Sequence, residues 1–265
     1  MKITQVLATR KIFGASFVHV GAHTAQELDS YLSLMPRKIL WIEADPVTFF
    51  KLERKLISSE KLHLASIQWI NALVGSSSGS VVPFYRYSND GASSSIFRET
   101  ELLRENWKDI GLQETGEVLP LVTRRLDSVL QSLDFSFEGM NCLILDIQGS
   151  ELEALKGTGS LIGNFDFVEV EVSQEEIYSG APLFDEVDGF LSKNGFKRIT
   201  GIPWHGDVVY ENCRQKSSPP TKIVFSARWF ARSARRRVFS ARWFARSARR
   251  RVFSALKRLI STWSK

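Results

Sequence analysis

The chain of 265 residues contains little cysteine and no long apolar run. Its two cysteines, Cys142 and Cys213, cannot form a disulfide framework, and Cys142 falls within an apolar stretch where a buried thiol is expected. No uninterrupted apolar segment approaches the roughly 20 residues of a membrane span. Residues 1–13 lack the apolar core and cleavage site of a secretory signal. These absences favour a location in the reducing cytoplasm.

Two functional motifs are also missing. No spacing of histidine, cysteine or carboxylate matches a metal-ligand pattern, so no obligatory metal is predicted. The first strand-to-helix turn, GAHTA at Gly21 to Ala25, lacks the three glycines on which a dinucleotide pyrophosphate would lie. A nucleotide-dependent oxidoreductase is therefore disfavoured. An adenosine that carries a smaller anionic group, such as the carboxylate of S-adenosylmethionine, needs only one close backbone approach and a few exposed N–H donors.

Carboxylates mark the ends of predicted strands. The stretch LILDIQGSELEALKG, Leu143 to Gly157, predicts a strand that stops at Asp146, a glycine turn and a helix that runs from Glu151 to about Ile162. Because the carboxyl ends of parallel strands form the ligand-binding edge of an α/β sheet, Asp146 is expected to face a site. KILWIEADP predicts a second strand that ends at Glu43, about 20 residues after Gly21, the spacing at which an acid accepts the ribose hydroxyls.

The rest of the chain continues the alternation of strands and helices. A third strand ends near Asn71, FDFVEVEVS predicts a strand that carries Glu171, and two final strands are expected to pair antiparallel. Between the third and fourth strands of the sheet lies a long block that includes SVVPFYRY, where Pro83 argues for an edge or an insert. The block also contains the turn-rich loop SNDGASSSIF and a predicted helix from about Arg98 to Gly111. Because the block is long for a connection, it is predicted to be a lid or substrate-binding loop, or else a disordered insert.

The segments VHVGAH, WIEADP, VTRRLDSVL, LDIQGSELEALKG, VEVEVSQEEIY and FLSKNGF occur in an order that resembles the FkbM family of S-adenosylmethionine-dependent methyltransferases. The resemblance covers roughly residues 17–210. It implies an α/β, Rossmann-like class I methyltransferase fold, with a mostly parallel seven-stranded sheet and helices on both faces. It also implies S-adenosyl-L-methionine as the cofactor and a hydroxyl of a sugar, glycolipid or secondary metabolite as the acceptor.

The candidate residues fall into two groups. Cofactor contacts are expected from Gly21, Ala22, His23, Glu43 and, beside the adenine ring, Asn71.

Asp146 is the first candidate for the catalytic base or for positioning the acceptor, with Gln148 and Glu171 as hydrogen-bonding partners. A purely structural role, in which Asp146 caps the helix that begins near Ser150, is the alternative, and Ser150 and Glu153 could share the capping.

Three further polar residues receive mainly structural interpretations. His19 lies inside a strand, where a hydrogen-bonded structural histidine is favoured over a base. His205 and Asp207, in the sequence WHGD, are predicted to form a plain hairpin turn, with a contact to the acceptor as the alternative. At His19, His23 and Ala25 the family more often has Asp, Asn and Gly. These departures leave open a catalytically silent cofactor- or partner-binding protein of the same fold, anchored to a membrane surface by its C-terminal tail.

The C-terminal tail differs from the rest in charge. VFSARWFARSARRR occupies residues 224–237 and recurs unchanged at 238–251. Fourteen of the 35 basic residues and none of the 29 acidic residues lie in 221–265, which leaves 21 basic and 29 acidic residues, a net charge of −8, before the tail. Its small apolar residues follow helical spacing.

These features predict three parts: a methyltransferase domain at 1–216, a linker at 217–223 and a basic amphipathic helix at 224–265. The tail is interpreted as a helix that contacts anionic membrane. Two alternatives rank lower: a duplication that has no dedicated partner, and binding to nucleic acid. The predicted partner of the domain is a small-molecule or glycan acceptor.

Overall fold

A computed structural model of the chain describes residues 1–214, except for the side chain of Ile110. The predicted linker at 217–223 and the predicted tail helix at 224–265 lie outside these residues. None of the helices within 1–214 is long and apolar enough to cross a membrane.

Helices and strands alternate along most of this part of the chain. The helices are α1 (Ile3–Thr9), α2 (Leu28–Ser33), α3 (Pro46–Ser58), α4 (Glu101–Asn106), α5 (Leu126–Ser132), α6 (Glu151–Gly157) and α7 (Phe184–Lys193). The strands are β1 (Ser16–Val20), β2 (Lys38–Glu43), β3 (Ser66–Asn71), β4 (Leu73–Gly75), β5 (Val81–Tyr87), β6 (Glu114–Arg125), β7 (Asn141–Leu145), β8 (Phe167–Ser173), β9 (Phe196–Arg198) and β10 (His205–Asn212). Short 3₁₀ turns occupy Glu60–Leu64, Lys108–Ile110 and Gly159–Asn164.

The main sheet has seven strands in the order β3-β2-β1-β7-β8-β10-β9. Strands β1, β2, β3, β7 and β8 pair in parallel, whereas β10 runs antiparallel to both β8 and β9. The order reverses between β1 and β7, which places a crevice outside their carboxyl ends, where α/β sheets bind ligands. The predicted mostly parallel sheet with an antiparallel ending is confirmed.

Apolar side chains cover both faces of this sheet. Phe17, Trp41 and Cys142 pack with residues of α1, α2 and α3 on one face. Leu40 and Leu143, which point the other way in the same strands, pack with residues of α5, α6 and α7. Because alternate residues of a strand face opposite sides, a nearly continuous apolar run such as β7 can serve both layers. Helices therefore cover both faces, as expected.

A second sheet of three strands lies within the block between β3 and β7, in the order β4-β6-β5. Strand β5 contains Pro83, which pairs with Pro120 of β6, so the prediction of an insert outside the central sheet is correct. We did not predict β6, because Gly116 and Pro120 interrupt its sequence pattern. The helix expected from about Arg98 to Gly111 is divided into α4 and the turn Lys108–Ile110.

Two helices are shorter than their sequence patterns indicate. The helix expected to follow Gly21 directly begins only at Leu28, because His23 and Ala25 have positive φ angles of 44° and 52° and form a turn. The helix predicted from Glu151 to about Ile162 ends at Gly157, and the chain continues as the 3₁₀ turn Gly159–Asn164. Both differences arise at turns that apolar periodicity does not encode.

Gly157 offers a test of the packing between α6 and the second sheet. A Cβ atom built on Gly157 would overlap the carbonyl oxygen of Gly75 in β4, so Gly157→Ala should force the helix away. We expect a loss of about 2 kcal/mol or more in the free energy of unfolding, as for other overpacked sites. Denaturant unfolding measures it.

Gly189 in α7 is the matched control, because a Cβ there meets nothing within 4 Å. Gly189→Ala should leave stability unchanged or raise it by up to about 1 kcal/mol, the helix preference of alanine. Equal effects of the two substitutions would contradict the packing account.

Candidate active site

The turn after β1 lies directly against the residue that follows β7. Gly21 has a φ angle of 84°, and a Cβ atom there would overlap the main-chain oxygen of Asp146. The amide of Asp146 donates to the carbonyl oxygen of Val20 at 3.1 Å. Only glycine satisfies both the backbone conformation and the close approach. The predicted cofactor turn thus lies against the main chain of Asp146, the predicted catalytic residue.

The turn at residues 21–25 is tied to the end of β2. The amides of Gly21 and Ala22 donate to the carbonyl oxygen of Ile42, at 2.9 and 3.0 Å. The amide of His23 donates to Glu43 Oε2 at 2.8 Å, and the His23 ring nitrogen Nε2 lies 3.1 Å from the carbonyl oxygen of Asp90. Ala22 is buried, whereas His23 reaches the surface of two cavities described below.

Glu43 lies at the carboxyl end of β2 and is only 8% exposed. Its two oxygens accept the backbone amides of His23 and Asp45, at 2.8 and 2.9 Å, which fix the orientation of the carboxylate. Burial raises the pKa of Glu43 to about 7, although these amide donors oppose the shift. Each carboxylate oxygen has a second lone pair, so Glu43 can still accept the two hydroxyls of a ribose.

Asn71 ends β3 beside Glu43. Its side-chain nitrogen Nδ2 donates to the carbonyl oxygens of Glu43 and Ala44, at 2.8 and 2.9 Å. Asn71 thus joins the ends of β3 and β2. It does not belong to the lining of either cavity described below, and its contact with adenine stays a prediction.

Gln148 joins the carboxylates of Asp146 and Glu171. Its Nε2 donates to Asp146 Oδ1 at 2.8 Å and to Glu171 Oε2 at 2.9 Å. Gln148 has a φ angle of 55°. Non-glycine residues rarely adopt this conformation, and those that do are often found at functional sites. The structure therefore brings together the three residues that the sequence analysis grouped, and their catalytic role stays a prediction.

Tyr178 and Ser95 surround the same glutamine. The Tyr178 hydroxyl lies 2.9 Å from Gln148 Oε1, where it donates, and Ser95 Oγ donates to the Gln148 carbonyl oxygen at 2.6 Å. With Oε1 facing a hydroxyl donor, the NH₂ group must face the two carboxylates. Tyr178 is missing from the predicted site. It lies in the quoted segment VEVEVSQEEIY, but only the folded chain brings it against Gln148.

The capping alternative for Asp146 does not match the hydrogen bonds at α6. Glu151 Oε1 accepts the amides of Ile147 at 2.9 Å and Gly149 at 3.3 Å. Ser150 is the N-cap residue but makes no side-chain capping bond, and Glu153 instead accepts from Ser76 and Lys156. The acid that holds this turn is Glu151, so the Asp146 carboxylate is available to Gln148 and to the adjoining cavities.

Burial shifts the pKa values of the ionisable side chains at this edge of the sheet. Burial raises the pKa of Asp146, and it raises that of Glu171 well above its ordinary value, with the Asp146 charge acting in the same direction. Burial lowers the pKa of His19 to about 3, and its Nδ1 lies 2.9 Å from the Tyr31 hydroxyl. The structural interpretation of His19 fits this contact.

His205 does not lie in a plain hairpin turn. It begins β10, and its Nε2 lies 3.5 Å from Glu171 Oε1, while its Nδ1 is buried without a hydrogen-bond partner. Burial lowers the pKa of His205. Asp207 pairs with Lys2 at 2.9 Å instead. His205 lines the larger cavity described below, and its contact with the acceptor stays a prediction. Asp207 does not line that cavity.

Two cavities meet at this cluster. The larger, of about 260 Å³, is lined in part by Glu171, Tyr178 and His205. The smaller, of about 50 Å³, is lined by Glu43 and by apolar residues that include Leu73 and Ile147. Both are also lined by the same five residues, namely Gly21, His23, Ala92, Asp146 and Gln148.

The loop SNDGASSSIF forms a wall of both cavities. Ala92 and Ser93 line the larger cavity, and Gly91, Ser94 and Ile96 line the smaller one. Further along the insert, Trp107 also lines the larger cavity. Lys51 contacts Asp90 of this loop, and the Ser93 carbonyl oxygen lies 3.1 Å from the Tyr178 hydroxyl, whose single hydrogen it shares with Gln148 Oε1. The loop therefore lies beside the candidate site, and a role in binding substrate stays a prediction.

Comparison with known proteins identifies the family. The sequence profile of the methyltransferase FkbM domain matches residues 19–198, and the chain belongs to this family. The predicted family, the Rossmann-like methyltransferase fold and S-adenosylmethionine as cofactor are thereby confirmed. A search of curated proteins found no match.

Several solved structures are similar to the chain. An FkbM methyltransferase from Methylobacillus flagellatus is 15% identical, with a TM-score of 0.41, over 75% of this chain and 43% of that one. Magnesium protoporphyrin IX methyltransferase from Synechocystis, with bound SAM, is 9% identical (TM-score 0.38; 79% and 74% covered). A SAM-dependent methyltransferase from Aquifex aeolicus is 12% identical (TM-score 0.39; 78% and 87% covered). The chain thus spans less than half the length of the Methylobacillus protein.

The geometry of Glu43 generates a prediction about cofactor affinity. Glu43→Ala should remove two hydrogen bonds to the ribose diol, each worth about 1.5 to 3 kcal/mol, and weaken S-adenosylmethionine binding at least about tenfold. Because burial raises the Glu43 pKa to about 7, the affinity of the unaltered chain should rise with pH through this value as the carboxylate ionises. Calorimetry at several pH values measures both.

Glu53→Ala is a suitable control, since this acid of α3 accepts from the Trp69 indole at 3.2 Å and lines neither cavity. If the folded Glu43→Ala variant binds S-adenosylmethionine with unchanged affinity, the assignment of Glu43 to the ribose hydroxyls is wrong.

Proposed function

We propose that the chain is an O-methyltransferase that transfers the methyl group of S-adenosylmethionine to a hydroxyl of a small-molecule or glycan acceptor, of the sugar, glycolipid or secondary-metabolite class. The observation that carries the proposal is the meeting of two cavities at Asp146 and Gln148. One cavity contains the ribose-type acid Glu43, and the other contains a second carboxylate, Glu171. A transfer reaction needs such an arrangement, because donor and acceptor must meet at one point.

The chemistry of the residues around the smaller cavity suits parts of an adenosine, which is larger than the cavity's volume of about 50 Å³ and would extend beyond it. Glu43 offers oriented acceptors for the ribose hydroxyls, and the apolar walls formed by Leu73, Val74 and Ile147 suit a flat base. The turn at Gly21 to His23 would hold the methionine portion. When bound, S-adenosylmethionine supplies an electrophilic methyl group on a sulfonium centre, so the protein needs only to align the acceptor and remove its proton.

Asp146 is proposed as the group that accepts the proton of the acceptor hydroxyl. The pKa of Asp146 is raised toward neutral pH, and a general base works best when its pKa lies near the working pH. Gln148 is proposed to keep Asp146 and Glu171 oriented through the two hydrogen bonds of its NH₂ group. Glu171 then serves as a second acceptor for the substrate hydroxyls. A catalytically silent protein of the same fold is less favoured, since it would not require paired carboxylates at the junction.

Asp146→Asn tests the proposed base. The amide keeps the size of the side chain but cannot take up a proton, so turnover with an identified acceptor should fall by a factor of about 100 or more. Cofactor affinity and thermal stability should stay near their original values. Asp188→Asn, which alters an acid of α7 that accepts from the Tyr210 hydroxyl, is the control. Turnover within a factor of a few would show that Asp146 is structural.

The proposal extends to the location of the protein. We propose that residues 1–216 form a cytoplasmic enzyme domain, and that the basic segment 224–265 attaches it to the surface of anionic membranes. The support lies in the sequence: arginine-rich repeats, tryptophans and helical spacing, which suit the headgroup region. Binding to RNA and a repeat without function are the competing hypotheses.

Substitution of aromatic residues in the tail of the full chain tests this attachment. Changing Trp229, Phe230, Trp243 and Phe244 to Ser keeps every basic residue but removes apolar insertion, so flotation with anionic vesicles should fall several-fold. Cofactor affinity, measured on the same variant, should not change. Undiminished flotation, or co-sedimentation with RNA in preference to vesicles, would contradict the proposed attachment.

A further inference from the structure

We propose that the part of the larger cavity around Glu171, Tyr178 and His205 admits neutral and cationic groups of the acceptor and excludes its phosphate and carboxylate groups. The acceptor would then be an uncharged hydroxyl compound or one that carries an amine, and not a phosphorylated or acidic sugar. The inference rests on the proposed function, which makes this cavity the acceptor site, and it specifies the chemical class of the acceptor.

The charges of the lining are one-sided. Glu27, Asp146 and Glu171 line the larger cavity, and no lysine or arginine within residues 1–214 does so. Sites that bind phosphate or carboxylate groups supply arginine, lysine or clustered backbone amides. Lys2, a base at the same sheet edge, already pairs with Asp207 at 2.9 Å and with Glu169 at 3.7 Å. It is not part of the lining.

Two of the three histidines of the lining, His19 and His205, do not restore the balance. Burial lowers the pKa of both His19 and His205, so these two rings are neutral at pH 7. Burial also raises the pKa of Asp146 and Glu171. An entering anion would meet the charge of whichever of these carboxylates is ionised, and this repulsion opposes binding. An entering ammonium group would instead stabilise the ionised carboxylates.

The other wall of the cavity is apolar and aromatic. Leu103, Leu112 and Ile177 line it together with Trp107. The Trp107 ring is held by Trp204, with centroids 6.2 Å apart and planes at 24°, and by the edge of His205 at 5.5 Å. A fixed indole can pack against the apolar face of a neutral ring or against a cation, but it offers an anion only its N–H.

A cysteine placed in the cavity can report its electrostatic preference without knowledge of the acceptor. Ala92 is exposed and lines both cavities, so Ala92→Cys introduces an accessible thiol. The full chain would be treated with two methanethiosulfonates of similar size, one bearing trimethylammonium and one bearing sulfonate. Labelling of each thiol is followed by peptide mass spectrometry. Cys213 is exposed and serves as the internal reference, whereas Cys142 is buried.

The measured quantity is the labelling rate with the cationic reagent divided by the rate with the anionic reagent. We expect this ratio to be at least about tenfold higher at the introduced thiol than at Cys213. Adding Glu171→Gln should reduce this preference. Adding Glu138→Gln, an equal change of charge before β7 at the opposite edge of the sheet, should leave it unaltered. A ratio equal to that of Cys213, or a preference for the sulfonate reagent, would overturn the inference.

A second cysteine variant and a cofactor titration distinguish a wrong charge preference from a misfolded variant and from a wrong proposed function. Ser93→Cys, on the same loop and in the lining of the same cavity, replaces Ala92→Cys if that variant does not fold, and the same ratios are expected. S-adenosylhomocysteine is titrated into each variant. A chain that does not bind it refutes the proposed function, whereas a chain that binds it but shows no preference for the cation refutes only the charge selectivity.

Discussion

The close approach of Gly21 to the Asp146 carbonyl is the constraint on which the site depends. It joins the carboxyl ends of β1 and β7, the adjacent strands at which the sheet order reverses. Any side chain at Gly21 would push these strand ends apart. The contact therefore places the predicted cofactor turn beside the candidate base, and it does so through backbone atoms that no side-chain movement can displace.

From this junction the polar network extends in two directions. Toward β2, the turn supplies the amide of His23 that orients Glu43. Toward β8, Gln148 joins Asp146 to Glu171, and Tyr178 fixes which end of the amide faces them. Buried polar groups are costly when left without partners, so a fully bonded glutamine between two acids keeps both in one arrangement. The proposed transfer chemistry needs that fixed geometry.

The sequence predicts the parts of this site that follow from strand ends. Asp146, Glu43 and Glu171 could be found because parallel strands terminate at one edge, so an acid at the end of an apolar run faces a crevice. Tyr178 and Trp107 could not be found in this way, because loops bring them to the site through contacts distant in sequence. Strand β6 was missed since Gly116 and Pro120 obscure its pattern. The turn at His23 and Ala25 depends on positive φ angles that apolar periodicity does not reveal.

Calorimetric titration of the full chain with S-adenosylmethionine and, separately, with NAD tests the central claim most directly. A single glycine at the first turn and an acid at the end of β2 leave no cradle for a pyrophosphate, but they suit adenosine with a small zwitterionic extension. The account predicts saturable binding of S-adenosylmethionine at one site per chain and no binding of NAD. Binding of NAD without binding of S-adenosylmethionine would contradict it.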